Sequence, residues 1–270
     1  MNEPSFRWHD RRVLVTGCTG FLGSWVTREL LAAGAEVVGL VRDRAEPPAA
    51  DGVRPVFGRV EDSFRLYSAL AVHEVVAVFH LAGPAGPDRG TATVLDAVRL
   101  YNPRVPVVTA RPAAEPVVVS PSLRVPLGVA RFGEVFGGGD RKTFRVVPAT
   151  AIGLITGDGS APLEAAEPRD FVHAPDAARA LVRLAESVAA VPRPHLQDVA
   201  FRSGWRFDDR GMADAVRAVF DGRAETLSEN GPPDNPLGWR RATTLAGALS
   251  ETVAWYREFL RGRSFGTRAA

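Results

Sequence analysis

Short apolar runs alternate with amphipathic stretches through the first half of the chain, and the two kinds of segment have different periods. Arg12-Val13-Leu14-Val15-Thr16 is an unbroken apolar run ending at a glycine, which predicts a strand buried on both faces. Phe21 to Ala33 has helical spacing and stops at Gly34, the residue type that accepts the left-handed conformation closing a helix. Val37 to Val41 predicts a second strand and Arg54 to Phe57 a short third. Within Asp62 to Val72, Leu66, Ala69 and Leu70 share one helical face. Val75 to Leu81 predicts a fourth strand, Thr91 to Leu100 a helix, and Val105 to Thr109 another strand. This alternation predicts an α/β fold with a doubly wound parallel sheet.

The alternation fails over 110–125, where Pro112, Pro116 and Pro121 exclude a long helix. Val117-Val118-Val119 has strand character of its own, and Pro126 to Arg131, running into Phe132-Gly133, is the next clear strand. Beyond Gly139 the pattern is less regular. Thr143 to Ile155 is apolar and partly helical, and Pro175 to Val191 is an amphipathic helix with Ala178, Leu181, Val182 and Leu184 at helical spacing. Asp209 to Phe220 and Leu245 to Leu260 predict further helices, parted by a turn region rich in Gly, Pro and Asn over 230–238. The expected organisation is one α/β domain over 1–132 and a small second lobe over 133–270.

Composition narrows the function classes. The 270 residues are 46% apolar and 24% charged, ordinary values for a soluble globular protein. Net charge is +2, and Lys142 is the only lysine. The arginines are scattered, with Arg11-Arg12 and Arg240-Arg241 the only adjacent arginine pairs, so there is no basic stripe for nucleic acid. A single cysteine, Cys18, excludes an internal disulfide and argues against a metal cluster. No stretch approaches the ~20 apolar residues of a membrane helix, and Met1 to Asp10 carries charge without an apolar run. The expectation is a cytoplasmic protein acting on a small molecule.

Chemistry enters at Thr16-Gly17-Cys18-Thr19-Gly20-Phe21-Leu22-Gly23, between the first strand and the first helix. Gly17, Gly20 and Gly23 there permit a tight turn, a close approach of backbone to a pyrophosphate, and packing of helix on strand, with the helix N-terminus facing the anion. That context makes the loop, with Thr19, Phe21 and Leu22 between its glycines, a candidate dinucleotide cradle of the Rossmann kind. The alternative is a loop that keeps its shape and binds nothing. The end of the second strand decides between cofactors. Arg42 favours NADP through its 2′-phosphate, while Asp43 keeps NAD open; Arg42 also fits a solvated loop charge.

These residues, together with Phe6-Arg7-Trp8, Leu40-Val41-Arg42-Asp43 and Val78-Phe79-His80-Leu81-Ala82-Gly83, resemble the extended short-chain dehydrogenases. The branch they resemble is that of nucleotide-sugar epimerases and dehydratases, especially those similar to CDP-glucose 4,6-dehydratase. Ala130-Arg131-Phe132-Gly133-Glu134-Val135-Phe136-Gly137-Gly138-Gly139-Asp140 is similar to the family's R-x-G-N-V-[YF]-G-x-G-D segment. Pro168-Arg169-Asp170-Phe171-Val172-His173 resembles its R-D-[FY]-x-H-V segment, and Trp255-Tyr256-Arg257 its closing helix. The resemblance implies a cofactor held by the glycine loop and lined by Leu81, Ala82 and Gly83. It implies that Arg169 contacts a sugar-nucleotide pyrophosphate; a salt bridge to Asp170 or another acid is the alternative.

The chain also departs from that pattern. The family's general base is a tyrosine whose pKa is lowered by a lysine four residues later. Four residues after Tyr67, Tyr101 and Tyr256 stand Ala71, Val105 and Leu260, so no such pair exists, and the region of the catalytic helix is shortened to the proline-rich 110–125. The family's Gly-Asp-Leu after the third strand is Gly58-Arg59-Val60, its Asn is Glu134, and the region around 235–239 is shortened. Glu134, expected just beyond a strand's carboxyl end, is the candidate for replacement proton transfer, with a salt-bridged or capping acid as its alternative. His80 reads as a packed strand histidine rather than a catalyst and Cys18 as small-residue packing rather than a nucleophile, while Thr109, Ser120 and Ser122, near the lost site, fit replacement chemistry and turn positions equally. Three functions remain: an enzyme of atypical, non-redox chemistry (lyase, isomerase or cyclase), a silent nucleotide-binding partner, or a residual oxidoreductase. Without the catalytic helix the usual paired-helix dimer loses its surface, so a monomer or a differently built dimer is expected.

Overall fold

The structure is a computed structural model that describes residues 7–42, 50–83, 89–115, 124–158, 166–227, 231 and 233–266. In chain order its strands are β1 (Arg12–Thr16), β2 (Glu36–Val41), β3 (Arg54–Phe57), β4 (Ala77–His80), β5 (Val107–Pro112), β6 (Pro126–Phe132), β7 (Glu134–Phe136), β8 (Arg169–His173), β9 (His195–Ala200) and β10 (Arg206–Phe207). Its α-helices are α1 (Phe21–Ala32), α2 (Ser63–Val72), α3 (Arg89–Tyr101), α4 (Val146–Thr156), α5 (Ala174–Ala189), α6 (Asp209–Phe220) and α7 (Leu245–Gly266). The chain divides into two units. Unit 1 comprises Met1–Phe132, Ala177–Phe201 and Asn235–Trp239; unit 2 comprises Gly133–Asp176, Arg202–Asp234 and Arg240–Ala270.

Unit 1 is built on a seven-stranded parallel sheet in the order β3-β2-β1-β4-β5-β6-β9. Apolar runs form its interior because strands covered on both faces have no solvated side to supply polar residues. Leu14, Val38, Val78, Val107 and Leu127 pack with Leu66 and Leu70 of α2 and Val94 and Val98 of α3. Gly34 follows α1 at φ 84°, as expected of a left-handed stop, and the Asp62 carboxylate caps α2 by accepting from the Arg65 N–H at 2.9 Å. Gly128 of β6 makes room for α5: a Cβ there would lie 2.9 Å from Val188 and 3.0 Å from Leu184.

Unit 2 has a three-stranded sheet in the order β10-β8-β7, with β7 and β8 parallel and β10 antiparallel to β8. Its core gathers Phe136 and Phe171 from these strands, Trp205, and Val146, Met212, Val216, Leu249 and Tyr256 from α4, α6 and α7. Asp208 caps α6 by accepting from the Gly211 N–H at 2.7 Å.

Strands β5, β7, β8, β9 and β10 differ from the sequence expectation, each for a physical reason. The fifth strand starts later and runs on to Pro112 because it keeps pairing with β6 as far as Phe132. Strand β9, His-Leu-Gln-Asp-Val-Ala, lacks an apolar run because it is an edge strand paired only with β6, and Leu196 stays exposed. Strands β7, β8 and β10 are too short to show a period. The expected division at 132/133 is the first crossing between units, but 177–201 and 235–239 return to unit 1. Val117 to Val119, Ser120, Ser122 and Pro121 lie outside the described residues.

Candidate functional site

In unit 1 the glycine loop is closed tightly enough to test. Gly17 has φ 73°, and a Cβ on it would lie 2.7 Å from the Ala82 nitrogen and from the Leu81 carbonyl. A Cβ on Gly23 would lie 2.0 Å from the Gly17 oxygen, and one on Gly20 would lie 3.1 Å from it. Only glycine satisfies the first two positions. Gly20 is the N-cap of α1, where no side chain caps the helix, so the first-turn N–H groups at Phe21, Leu22 and Gly23 have no side-chain cap and suit an anion. Thr19, between Gly17 and Gly20, is half-buried. A cradle that any Cβ would fill, next to an uncapped helix N-terminus, fits the pyrophosphate of a dinucleotide.

The floor of this loop is fixed by a chain of polar side chains. Thr16, His80 and Thr109 stand in register across β1, β4 and β5. Thr16 Oγ1 lies 2.7 Å from His80 Nδ1 and accepts from the Ala82 N–H at 3.3 Å, while His80 Nε2 lies 3.1 Å from Thr91 Oγ1 of α3. The Leu81 N–H donates to the Thr16 carbonyl at 3.1 Å, and Gly83 takes φ 106°. His80 is therefore packed and bonded in its strand. Cys18 is also buried, and burial pushes its thiol up to about 11, which removes it as a nucleophile at neutral pH.

Arg42 is exposed one residue past β2. The Gly58 N–H donates to the Val41 carbonyl at 3.0 Å, so the exposed Arg59 follows on the neighbouring strand end, 3.7 Å from Glu61. Asp43 lies outside the described residues.

In unit 2 Glu134, at the start of β7, meets Arg169, at the start of β8. Glu134 Oε2 accepts from Arg169 Nε at 2.9 Å, and Oε1 lies 3.2 Å from Arg145 Nε. Arg169 Nη2 donates to Asp209 at 2.5 Å, and Arg145 Nη1 donates to Asp140 at 2.8 Å and to the Val135 carbonyl at 3.1 Å. The Arg169 guanidinium also lies over the Phe171 ring at 4.7 Å. Burial alone would lower the Arg169 pKa, but its hydrogen bonds to Asp209 and Glu134 outweigh that and raise it. Asp170 is not its partner. Asp170 accepts instead from the Ser203 and Gly204 N–H groups, and burial raises its pKa against those bonds. Arg145, Asp140 and Asp209 were not legible as site residues, since Asp208-Asp209 reads as a helix start and gives no sign of Arg169.

The three tyrosines sit in different settings. Tyr67 is exposed on α2 and Tyr101 ends α3, where burial raises its pKa. Tyr256 is buried, donates to the Asp140 carbonyl, and has its pKa raised chiefly by burial. None is followed four residues later by the lysine that would favour tyrosinate. Among the described residues no cluster of three or more His, Cys, Asp or Glu could hold a metal, and no helix is long and apolar enough to cross a membrane.

Residues 13–104 match the NAD dependent epimerase/dehydratase family. Over 61 residues, 21% of this chain and 19% of the relative, the sequence is 46% identical to dTDP-4-dehydro-6-deoxy-D-allose reductase of Streptomyces bikiniensis. It is 34% identical over 82 residues to CDP-glucose 4,6-dehydratase of Salmonella typhimurium, covering 28% of this chain and 23% of that protein. The matched stretches thus span about a fifth of these curated relatives' lengths. In fold, the chain is similar to the Bordetella bronchiseptica enzyme WbmF in complex with NAD+ and UDP, with TM-score 0.73, 20% identity and 94% of each chain covered.

Proposed function

Proceeding from residues 13–104 as an NAD-dependent epimerase/dehydratase family domain segment, we propose that the chain binds a dinucleotide in unit 1 and performs non-redox tailoring of a small molecule. Lyase, isomerase and cyclase reactions of a biosynthetic pathway all fall in that class. The observation that carries the reading is the pairing of an intact cradle with an absent base. Gly17 and Gly23 admit no Cβ, yet Tyr67, Tyr101 and Tyr256 all lack a lysine partner. A bound nicotinamide would supply a hydride acceptor, but this chain has no tyrosine–lysine pair to take the hydroxyl proton that must leave with the hydride.

NADP is the proposed cofactor, supported by the exposed Arg42 after β2; NAD, which WbmF holds, is the alternative. The glycine loop with Leu81, Ala82 and Gly83 would hold it, and Arg42 would meet the 2′-phosphate. A cytoplasmic monomer or non-standard dimer completes the proposal. A second reading, a residual nucleotide-sugar oxidoreductase or epimerase, is favoured by the names of the two relatives and by the UDP in WbmF.

The test is calorimetry with both cofactors, followed by incubation with a panel of nucleotide sugars read by NMR and by reduced-cofactor absorbance. The expected result is tighter NADP binding, no nucleotide sugar oxidised and no build-up of reduced cofactor. Turnover of a nucleotide sugar would establish the second reading, and failure to bind either cofactor would leave unit 1 without the proposed role.

A further inference from the structure

Among the described residues of unit 2, the carboxylates of Glu134, Asp140 and Asp209 pair with the guanidiniums of Arg145 and Arg169. All three carboxylates are largely shielded, with side-chain exposures of 17%, 2% and 7%. Arg169 is the group in this network whose chemistry suits a phosphate, because a guanidinium grips an oxyanion through parallel N–H bonds along one edge. That edge is already taken. Nε donates to Glu134 and Nη2 to Asp209, the Phe171 ring covers one face, and Nη1 is buried with no acceptor. A phosphate arriving here would have to displace a carboxylate, leaving it poorly solvated beside a second anion.

We propose that Glu134 is a specificity determinant: it occupies the anion position at Arg169, so that unit 2 takes a ligand whose recognised group is neutral or cationic, such as a hydroxyl, an amide or an ammonium. Glu134 is the residue suited to this because its two oxygens join both arginines. Glu134→Gln removes that charge and leaves one amide oxygen where two carboxylate oxygens meet the Nε groups of the two arginines, so donor capacity and positive field are released for an anion. The inference sharpens the substrate class of the proposed function and stands independently of cofactor binding in unit 1.

The experiment is calorimetric titration of uridine diphosphate, and separately of inorganic pyrophosphate, into the full chain. Wild type, Glu134→Gln, Arg169→Gln and the double variant are compared, each with and without saturating NADP. Glu134→Gln is expected to bind both anions about tenfold more tightly or better, the worth of one charge-assisted hydrogen bond, and the double variant is expected to lose the gain. Arg169→Gln alone is expected to leave wild-type anion affinity unchanged. A folded Glu134→Gln protein with no gain overturns the proposal. If that variant does not fold, Arg169→Gln decides: an unchanged affinity supports the proposal and a loss overturns it. Cofactor affinity, read in the same series, reports on the function proposed for unit 1 and is expected to be equal in all four proteins.

Discussion

Unit 1 and unit 2 both gather anion-recognising groups near strand ends, but they commit them differently. In unit 1 the donors are backbone N–H groups at the start of α1, with no side-chain cap, over a floor of Thr16, His80 and Thr91. In unit 2 the donors are the side chains of Arg145 and Arg169, already bound to carboxylates of the same unit. The first arrangement costs nothing to keep open, because helix geometry alone aims the dipoles. The second is satisfied within its own unit save for the buried Arg169 Nη1: it contributes to the stability of that unit and has few donors left for a ligand. Damage to unit 1 should therefore appear in binding, and damage to unit 2 in stability.

The largest expected effect breaks the second half of that comparison. Asp140→Ala removes the buried partner of Arg145, and losing one side of such a pair should cost about 3 kcal/mol. The measurement is chemical denaturation, with dinucleotide affinity of the folded fraction unchanged; a loss of affinity at full stability would reverse the assignment. Gly23→Ala comes next. Its Cβ would collide with the Gly17 carbonyl, so a loss of about 2 kcal/mol is expected, together with loss of cofactor binding in calorimetry. Retained binding would mean the loop is not the cradle.

Smaller effects sharpen the comparison within unit 1. Arg42→Ser should lower NADP affinity about tenfold while sparing NAD, and equal losses for both would return Arg42 to a solvated loop charge. Thr16→Val deletes the hydroxyl joining Ala82 to His80 and should cost about 1 kcal/mol, with a modest loosening of cofactor seen in the same titrations. The smallest effect near neutrality concerns Cys18. Its folded pKa is raised by burial from 9.0 to about 11, so stability from the neutral thiol is complete below pH 9.0 and is lost as pH rises through about 11. A decline of about 1 kcal/mol by about pH 10 is expected, and Cys18→Ala should remove it. A Cys18→Ala protein with the same alkaline decline would place the titrating group elsewhere.

What was legible in the sequence follows the same division. β1, β3 and α6 end where periodicity and turn residues place their ends, because local sterics and covered faces set them. The glycine loop was legible because its parts lie within eight residues of one another. The network of unit 2 was not. Arg169 stands 35 positions from Glu134 and 40 from Asp209, and no local spacing links residues that come together through the pairing of β8 with β7 on one side and β10 on the other. Glu134 was noticed as a departure from a pattern, and its two arginine partners could come only from the folded chain. β9 escaped for the opposite reason: its edge position permits the polar residues that hide it, such as Asp198, which lies 2.8 Å from Arg131.

The lateness of β9 has a consequence for how the chain is made. The central sheet cannot be completed when β6 leaves the ribosome, because its last strand follows β7, α4, β8 and α5. Until then the outer edge of β6 offers unpaired N–H and C=O groups, and Gly128 lies bare where Leu184 and Val188 will pack. Closing so non-local a pairing slows folding. A nascent chain stopped anywhere between Gly133 and Leu196 would carry a sticky strand edge, and it is over that interval that a chaperone would find most to hold.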